Sequence, residues 1–382
     1  MNQIYLDYNA TTPLDPLVLE EMLPYFNQNY GNPSSIHSFG NRAKSALDLS
    51  RDRFAALVNS RTKEITFTTG GSESNNFAIK GIAYAYRDKG SHLITTSAEH
   101  ASCLETFSFL ESQGFEVTYL DVDNKGTIDP QQLSDSIKES TILVSCIYAN
   151  NETGVVNPIG RLSAIANEKG VIFHTDAVQA LGKLEVDLKK LNVDLASFSS
   201  HKIYGPKGVG GLYIKMGVNP FSLIHGGGQE RGKRSGTENV PGIAGFGKAA
   251  ELVNQTFSDE TKRIKNLKEL LTDGILSSIN GVRINGNAPD KLPNTLNISF
   301  DDIEGESLVM NLDMDGIAVS TGSACSEGNV DPSHVLLAMG QSNKEAISSL
   351  RISIGRFTTK EEINKFLGIL PGITDRIRKA KL

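Results

Sequence analysis

The sequence predicts an α/β fold, a mostly parallel sheet with flanking helices followed by a smaller α+β unit, and two observations carry that prediction. Between residues 65 and 214, short apolar runs alternate with stretches of helical pattern, the signature of βαβ units around a largely parallel sheet. From about Phe257 the texture changes to a charged helical stretch followed by shorter strand-like runs. The first pattern bears on function, because ligands in such sheets sit at the carboxyl ends of the strands.

In chain order, residues 1–16 hold a strand-like IYLD and the turn-rich NATTPLDP, and helical periodicity follows over 17–26. GNPSSIHSFG (31–40) reads as a loop, with a helix starting near Ser38. Strands are expected at 65–68, 93–96, 116–120, 142–148, 171–175, 193–198 and 210–214, each an apolar run short enough to be a strand. A helix is expected over 258–279, shorter strands at 282–285, 296–300 and 318–320, and helices toward the C-terminus. No internal repeat or low-complexity tract is found.

With 382 residues, 39% of them hydrophobic, the chain can bury a sizeable core in two or three domains. A net charge of −6 without a long basic run argues against a nucleic-acid surface. No apolar run reaches the ~18 residues of a membrane-spanning helix, and MNQIYLDYNATTPLDP lacks the basic and apolar regions of a secretory signal. The three cysteines, Cys103, Cys146 and Cys325, suit a reducing cytoplasm better than a disulfide framework. Cys103 and Cys146 lie in or beside apolar stretches and read as core thiols. Cys325 lies in STGSACSEGN (320–329), which has no apolar periodicity, and reads as an exposed loop thiol suited to a nucleophile that must travel.

Seven further stretches carry candidate chemistry. NVDLASFSSHKIYGPKGVGG (192–211) is an apolar run opening into Ser199, Ser200, His201 and Lys202 and then a glycine-rich loop. A lysine at a strand end beside small hydroxyls can hold an amine for Schiff-base chemistry; the alternative is a solvated surface lysine. TTGGSESNN (68–76) follows a strand and opens a helix, so Ser72 and the nearby amides form either an anion site or a capping box. His100 in SAEHAS can stack on a flat ring or move a proton, or is a polar loop residue. In YANNETG, Asn150, Asn151 and Glu152 bind a ligand or shape a turn. FHTDAVQ places Asp176 at a strand end, where a buried carboxylate needs a partner such as a protonated pyridine nitrogen, or is a helix N-cap; Gln179 can reach the same ring. HGGGQERGKRSGT (225–237) is a phosphate cradle, an inter-subunit loop or a plain basic loop. LRISIGRFT (350–358) offers Arg351 and Arg356, whose guanidinium forks suit a carboxylate, or which stand at the surface. Together these are the parts of a pyridoxal-phosphate site: amine, aspartate, histidine, phosphate binders and arginine. No metal-ligand set is assigned.

In YLDYNATTP, GNPSSIHSFG, TTGGSESNN, SAEH, NNETG, FHTDAVQ, SSHKIYGPKGVGG, GGGQERGKRSGT, STGSACSEGN and RISIGRFT the sequence resembles the cysteine desulfurases of the NifS/IscS type, in the class V branch of the fold-type I pyridoxal-phosphate-dependent transferases. The resemblance covers almost the whole chain. It implies a large cofactor-binding domain over residues 15–256, and a small domain from 1–14 and 257–382 carrying a cysteine loop at about 320–332. It implies that Lys202 holds pyridoxal 5'-phosphate as a Schiff base, with His100 stacked on the ring, Asp176 on the ring nitrogen and Gln179 on the phenolate oxygen. Gly71, Ser72, Ser199 and His201 then bind the phosphate, helped by Thr237 from the second subunit of a homodimer. Asn151 and Arg351 fix the carboxylate of L-cysteine, and Cys325 takes its sulfur as a persulfide, leaving L-alanine. The implied acceptor is a tRNA 2-thiolation enzyme or an iron–sulfur scaffold in the cytoplasm, with no direct nucleic-acid or membrane partner. GTENVPGI and NVDPSHV resemble the Gram-positive desulfurases that feed tRNA thiolation. Competing readings are a class V aminotransferase, a selenocysteine lyase and a non-catalytic sulfur-trafficking scaffold; the presence of both Lys202 and Cys325 favours the desulfurase.

Overall fold

A computed structural model describes residues 3–322 and 331–380. The chain starts with β1 (Ile4–Tyr5), then α1 (Pro16–Met22) and α2 (Pro24–Asn27). The periodicity over 17–26 predicts one helix. Pro24 divides it, because proline lacks the N–H that would continue the first helix and suits the first turn of the second. Asp15 caps α1 by accepting the amide of Leu17 at 2.9 Å. The helix expected near Ser38 is α3 (Ser38–Leu57).

Strands and helices then alternate. They are β2 (Ile65–Thr68), α4 (Gly71–Ala85), β3 (His92–Thr96), α5 (Ala101–Ser112), β4 (Glu116–Leu120) and α6 (Pro130–Ser136). There follow β5 (Thr141–Ile147), α7 (Ile159–Glu168), β6 (Ile172–Asp176), α8 (Leu188–Leu191), β7 (Leu195–Ser199) and β8 (Gly210–Ile214). The strands form one seven-stranded sheet in the order β2-β8-β7-β6-β5-β3-β4. β8 runs antiparallel to both its neighbours, and the other pairs are parallel. The fold class is therefore the α/β one that the alternating pattern predicts. Helices cover both faces, so the central strands are buried along nearly their whole length, which is why they read as continuous apolar runs. The polar residues among them pair across strands: His174 on β6 bonds Ser145 Oγ at 2.8 Å and Ser197 Oγ at 2.9 Å.

The remaining elements are α9 (Val240–Ser278), β9 (Val282–Ile284), β10 (Thr295–Phe300), α10 (Gly305–Met314), β11 (Ile317–Ala318), α11 (His334–Ala338), α12 (Asn343–Ile347), β12 (Ser349–Ser353) and α13 (Lys360–Ala380). β12, β10 and β9 make an antiparallel sheet, and β1 pairs in parallel with β11. One apolar cluster lies against the large sheet and includes Phe54, Phe198 and Phe246, whose rings meet at centroid distances of 5.2 and 4.6 Å about Phe54. A second gathers Leu271, Phe300, Leu350 and Phe366, together with Ile4 and Leu6 from the start of the chain. α9 serves both: Val240, Phe246 and Val253 enter the first cluster, and Ile264, Leu267 and Ile275 the second. Cys103 and Cys146 are fully buried, as their apolar neighbourhoods predict.

Candidate active site

The carboxyl ends of β3, β5, β6 and β7 and the first turn of α4 open onto a cavity of about 400 Å³. Gly71 and Ser72 of α4, His100 after β3, Asn151 after β5, and Asp176 and Gln179 at the end of β6 all line it. So do Ser199, His201 and Lys202 after β7, and Arg351 from β12.

Lys202 ends a short 3-10 turn, Ser200–Lys202, that follows β7 directly. Its Nζ donates to the backbone carbonyls of Asn9 at 2.5 Å and Ala10 at 2.7 Å. Burial first, and then the charge of Arg351, push this amine down to about 8, with Asp7 and Asp176 opposing. Its neighbour His201 is pushed down to about 4 by burial and by Lys202, Lys207 and Lys183, and so stays neutral near pH 7.

Asp176 closes β6, with Oδ1 accepting the Val178 amide at 2.9 Å and Oδ2 accepting Asn75 Nδ2 at 2.7 Å. It thus turns the chain locally while standing in the cavity wall. The same Asn75 amide donates to Ser102 Oγ at 2.9 Å, and Ser102 Oγ lies 2.8 Å from His100 Nδ1. His100 caps α5, its Nδ1 accepting the backbone amide of Ser102 at 3.1 Å. A backbone N–H can only donate, so Nδ1 is the acceptor in that contact. Next to His100 lies Glu99, fully buried, with Oε1 accepting Thr96 Oγ1 at 2.8 Å and the Ile147 amide at 2.7 Å. Burial pushes its carboxyl up to about 8, and the charge of Asp176 adds to the effect.

Arg351 donates from Nη2 to Asp7 Oδ1 at 2.7 Å and from Nη1 to the Asn151 carbonyl at 3.3 Å, while its Nε is buried without a partner among the described residues. Arg356, the other arginine of the motif, does not line this cavity. It pairs with Asp15 and Glu260, both at 2.8 Å, and covers the Tyr204 ring. Asn150 shapes the turn after β5 by accepting the amides of Glu152 and Thr153 at 2.9 Å, which leaves Asn151 facing the cavity. At the start of α4, Glu73 caps Thr69, and it also accepts Arg234 Nε at 2.9 Å from the 225–237 loop.

Residues 4–366 match the family described as Aminotransferase class-V. The chain belongs to the class-V aminotransferase family. It is similar to the "Cysteine desulfurase IscS" of Clostridium botulinum, 51% identical over 379 residues, covering 99% of this chain and 96% of the relative. It is also similar to the protein of that name from Methanosarcina thermophila, 48% identical over 375 residues, covering 98% and 93%. Among solved structures, a "NifS-like protein" superposes with a TM-score of 0.92 at 39% identity, covering 98% of this chain and 100% of that one.

Thr237, which the sequence nominates, does not line the cavity of this class-V chain, and Cys325 lies outside the described residues. Conversely, Asn9, Asn75, Ser320 and Gly322 line the cavity without having been singled out. Asn75 carries a legible signal, since it stands four residues after Gly71 and so on the same face of α4. Asn9 carries none, because it meets Lys202 with its backbone oxygen. Among the described residues no group of three or more His, Cys, Asp or Glu could hold a metal ion, and no helix is long and apolar enough to cross a membrane.

Proposed function

We propose that this chain is a cysteine desulfurase that, with pyridoxal 5'-phosphate in the cavity, removes sulfur from L-cysteine, releases L-alanine and carries the sulfur as a persulfide on Cys325. One observation carries the reading: Lys202, with its amine pushed down to about 8, shares a cavity with Asp176, the amide of Gln179 and an arginine whose Nε has no partner among the described residues. That donor set fits a flat phosphorylated aldehyde and an amino-acid carboxylate. The family and the IscS relatives support it.

A bound pyridoxal phosphate supplies the electron sink that lets charge build at the substrate's Cα. Lys202 would hold the cofactor through its neutral amine and could then hold or return a proton at Nζ. Asp176 would pair with the ring nitrogen, Gln179 would donate to the phenolate oxygen, and His100 would stack on the ring. Ser72, Ser199, His201 and the Gly71 amide would hold the phosphate at the N-terminus of α4, where unpaired amides and the helix dipole favour an anion. Arg351 and Asn151 orient the substrate carboxylate. The Cys325 thiolate attacks the substrate sulfur, so an S–S bond forms as the Cβ–S bond breaks. The electron pair left on carbon takes up a proton, giving alanine. The persulfide is handed to an acceptor protein, a tRNA 2-thiolation enzyme or an iron–sulfur scaffold, in the cytoplasm.

The enzyme works as a homodimer in which Thr237 reaches the other subunit's phosphate. Leu23, Phe26, Tyr30 and Ile36 are large apolar side chains left exposed, the last at 96%, which supports a partner covering them. The chain divides into a large domain over residues 15–256 and a small one from 1–14 and 257–382; the second apolar cluster, drawn from 1–14 and 257–382 alone, supports this, although Leu292, Val335, Leu336, Met339 and Ala346 join the first. The test is alanine and sulfide production from L-cysteine plus a reductant, with visible spectra, for wild type, Cys325→Ala and Lys202→Ala. Wild type makes both products, Cys325→Ala keeps the yellow cofactor but makes neither, and Lys202→Ala loses the bound chromophore. Equal sulfide release by Cys325→Ala removes Cys325 from the reaction and puts a lyase in its place.

A further inference from the structure

A second lysine stands beside the site without a role in the mechanism above. Lys183 follows Gln179 by four residues, and its Nζ donates to Gln179 Oε1 at 2.5 Å. The other end of that amide, Nε2, donates to the Asn9 carbonyl at 2.9 Å, the same oxygen that accepts Lys202 Nζ. The turn delivering Lys183 is fixed from behind: Gly182 has φ +74, and a Cβ there would lie 2.8 Å from Cγ2 of Ile203, the residue after Lys202.

These partners decide an orientation. A glutamine amide can be turned by half a revolution at little intrinsic cost, since its last torsion has two nearly equivalent settings. A backbone carbonyl can only accept, and an ammonium can only donate. Asn9 therefore requires the nitrogen of Gln179, and Lys183 requires the oxygen. One N–H of Gln179 is used on Asn9, which leaves the other for the cavity that Gln179 lines. Burial and the charges of Lys202 and Arg351 push the Lys183 amine well below its ordinary value. A neutral amine still carries N–H donors, and Asn9 still fixes the amide's other end, so the orientation survives loss of the charge.

We propose that Lys183 is a positioning residue that locks the Gln179 amide with its N–H toward the cofactor's ring oxygen, so that this oxygen meets a donor and never the amide oxygen. The proposal rests on the pyridoxal-phosphate reading and deepens it. Because the bound ring absorbs visible light, a donor on its oxygen is read from the spectrum independently of turnover.

The experiment compares the cofactor-loaded wild type with Lys183→Met, Gln179→Leu, the double variant and Lys183→Arg. Visible absorption and the rate of cofactor loss are recorded for each, with circular dichroism as the folding control. Lys183→Met shifts the band in the direction that Gln179→Leu does, and speeds cofactor loss about threefold to tenfold, the size of one net hydrogen bond. The double variant matches Gln179→Leu alone, because Lys183 acts only through Gln179. Lys183→Arg, which keeps a donor, moves the band back toward wild type. If Lys183→Met does not fold, Lys183→Gln, polar but too short for the contact, takes its place in the comparison. An unchanged band in a folded variant, or effects that add to those of Gln179→Leu, overturns the proposal. A wild type that added cofactor never colours overturns the reading beneath it, an outcome distinct from a coloured wild type with an indifferent Lys183.

Discussion

Arg51 grips Glu230 by both carboxylate oxygens, Nη1 to Oε2 at 2.8 Å and Nη2 to Oε1 at 2.7 Å, with the two side chains only 10% and 3% exposed. The glutamate also accepts the Phe67 amide at 2.9 Å, which ties the 225–237 loop to β2 although Glu230 itself sits at φ +47. Arg51→Met leaves that carboxylate buried and uncompensated. The expected loss is about 3–5 kcal/mol of folding stability, the usual cost of breaking a buried pair from one side. Urea denaturation of the two proteins measures it, and a loss below about 1 kcal/mol, the level of a surface pair, contradicts the assignment.

Glu99 gives a pH signature. Its carboxyl is raised from 4.5 unfolded to about 8 folded. Its protonated form therefore adds stability fully below about 4.5, and that contribution is lost as the pH rises through 8. Glu99→Gln keeps an acceptor for the Ile147 amide and has no proton to lose. Relative to the variant, wild type should lose stability steadily between pH 5 and 8, by a few kcal/mol in all. Parallel stability profiles would show that Glu99 ionises in the ordinary carboxyl range.

Capture of pyridoxal phosphate by cofactor-free protein should follow the Lys202 amine. Only the neutral amine attacks an aldehyde, and the group is depressed to about 8 from 10.5. The capture rate should climb through pH 8 and level off by about pH 9, one unit above that value. A rate still rising beyond pH 10 would place Lys202 in the solvated class.

Arg351→Gln removes the charged fork whose Nε has no partner among the described residues. The KM for L-cysteine should rise about 10- to 100-fold with a smaller change in kcat, since a charge-assisted hydrogen bond contributes about 1.5–3 kcal/mol. Arg351→Lys should recover only part of that, as a point charge cannot make two parallel bonds. Arg356→Gln, by contrast, should act on stability through Asp15 and Glu260 and leave KM alone.

The strands of the large sheet were legible to within two residues; burial on both faces makes the central ones mostly apolar, while β4, at the sheet edge and largely exposed, reads from its β-branched and aromatic residues. α9 was not: only its charged half, from residue 258, reads as a helix, although the helix begins at Val240. Gly242, Gly245 and Gly247 weigh against helix by propensity. Tertiary packing overrides them: a Cβ on Gly247 would lie 2.5 Å from the Cα of Ser50 on α3, so the close approach of the two helices requires the glycine. In the site, residues that act through side chains at strand ends, such as Lys202 and Asp176, announce themselves by type and place. Thr237 is a loop residue, as its glycine-rich surroundings suggest, and it does not line the cavity. Asn9 and Lys183 stayed hidden because one acts with its main chain and the other acts on a neighbour.

The earliest and latest parts of the chain meet at this site. The Asn9 amide donates to Ser353 Oγ and Arg351 to Asp7, each across 344 positions of sequence. A ribosome must therefore deliver β12 before the acceptors of Lys202 and the carboxylate partner of Arg351 can settle together. Contacts of such long range form late in folding. The nascent polypeptide can fold its large sheet around an unfinished pocket, and a product truncated before residue 353 keeps Lys202 but loses the frame that orders it.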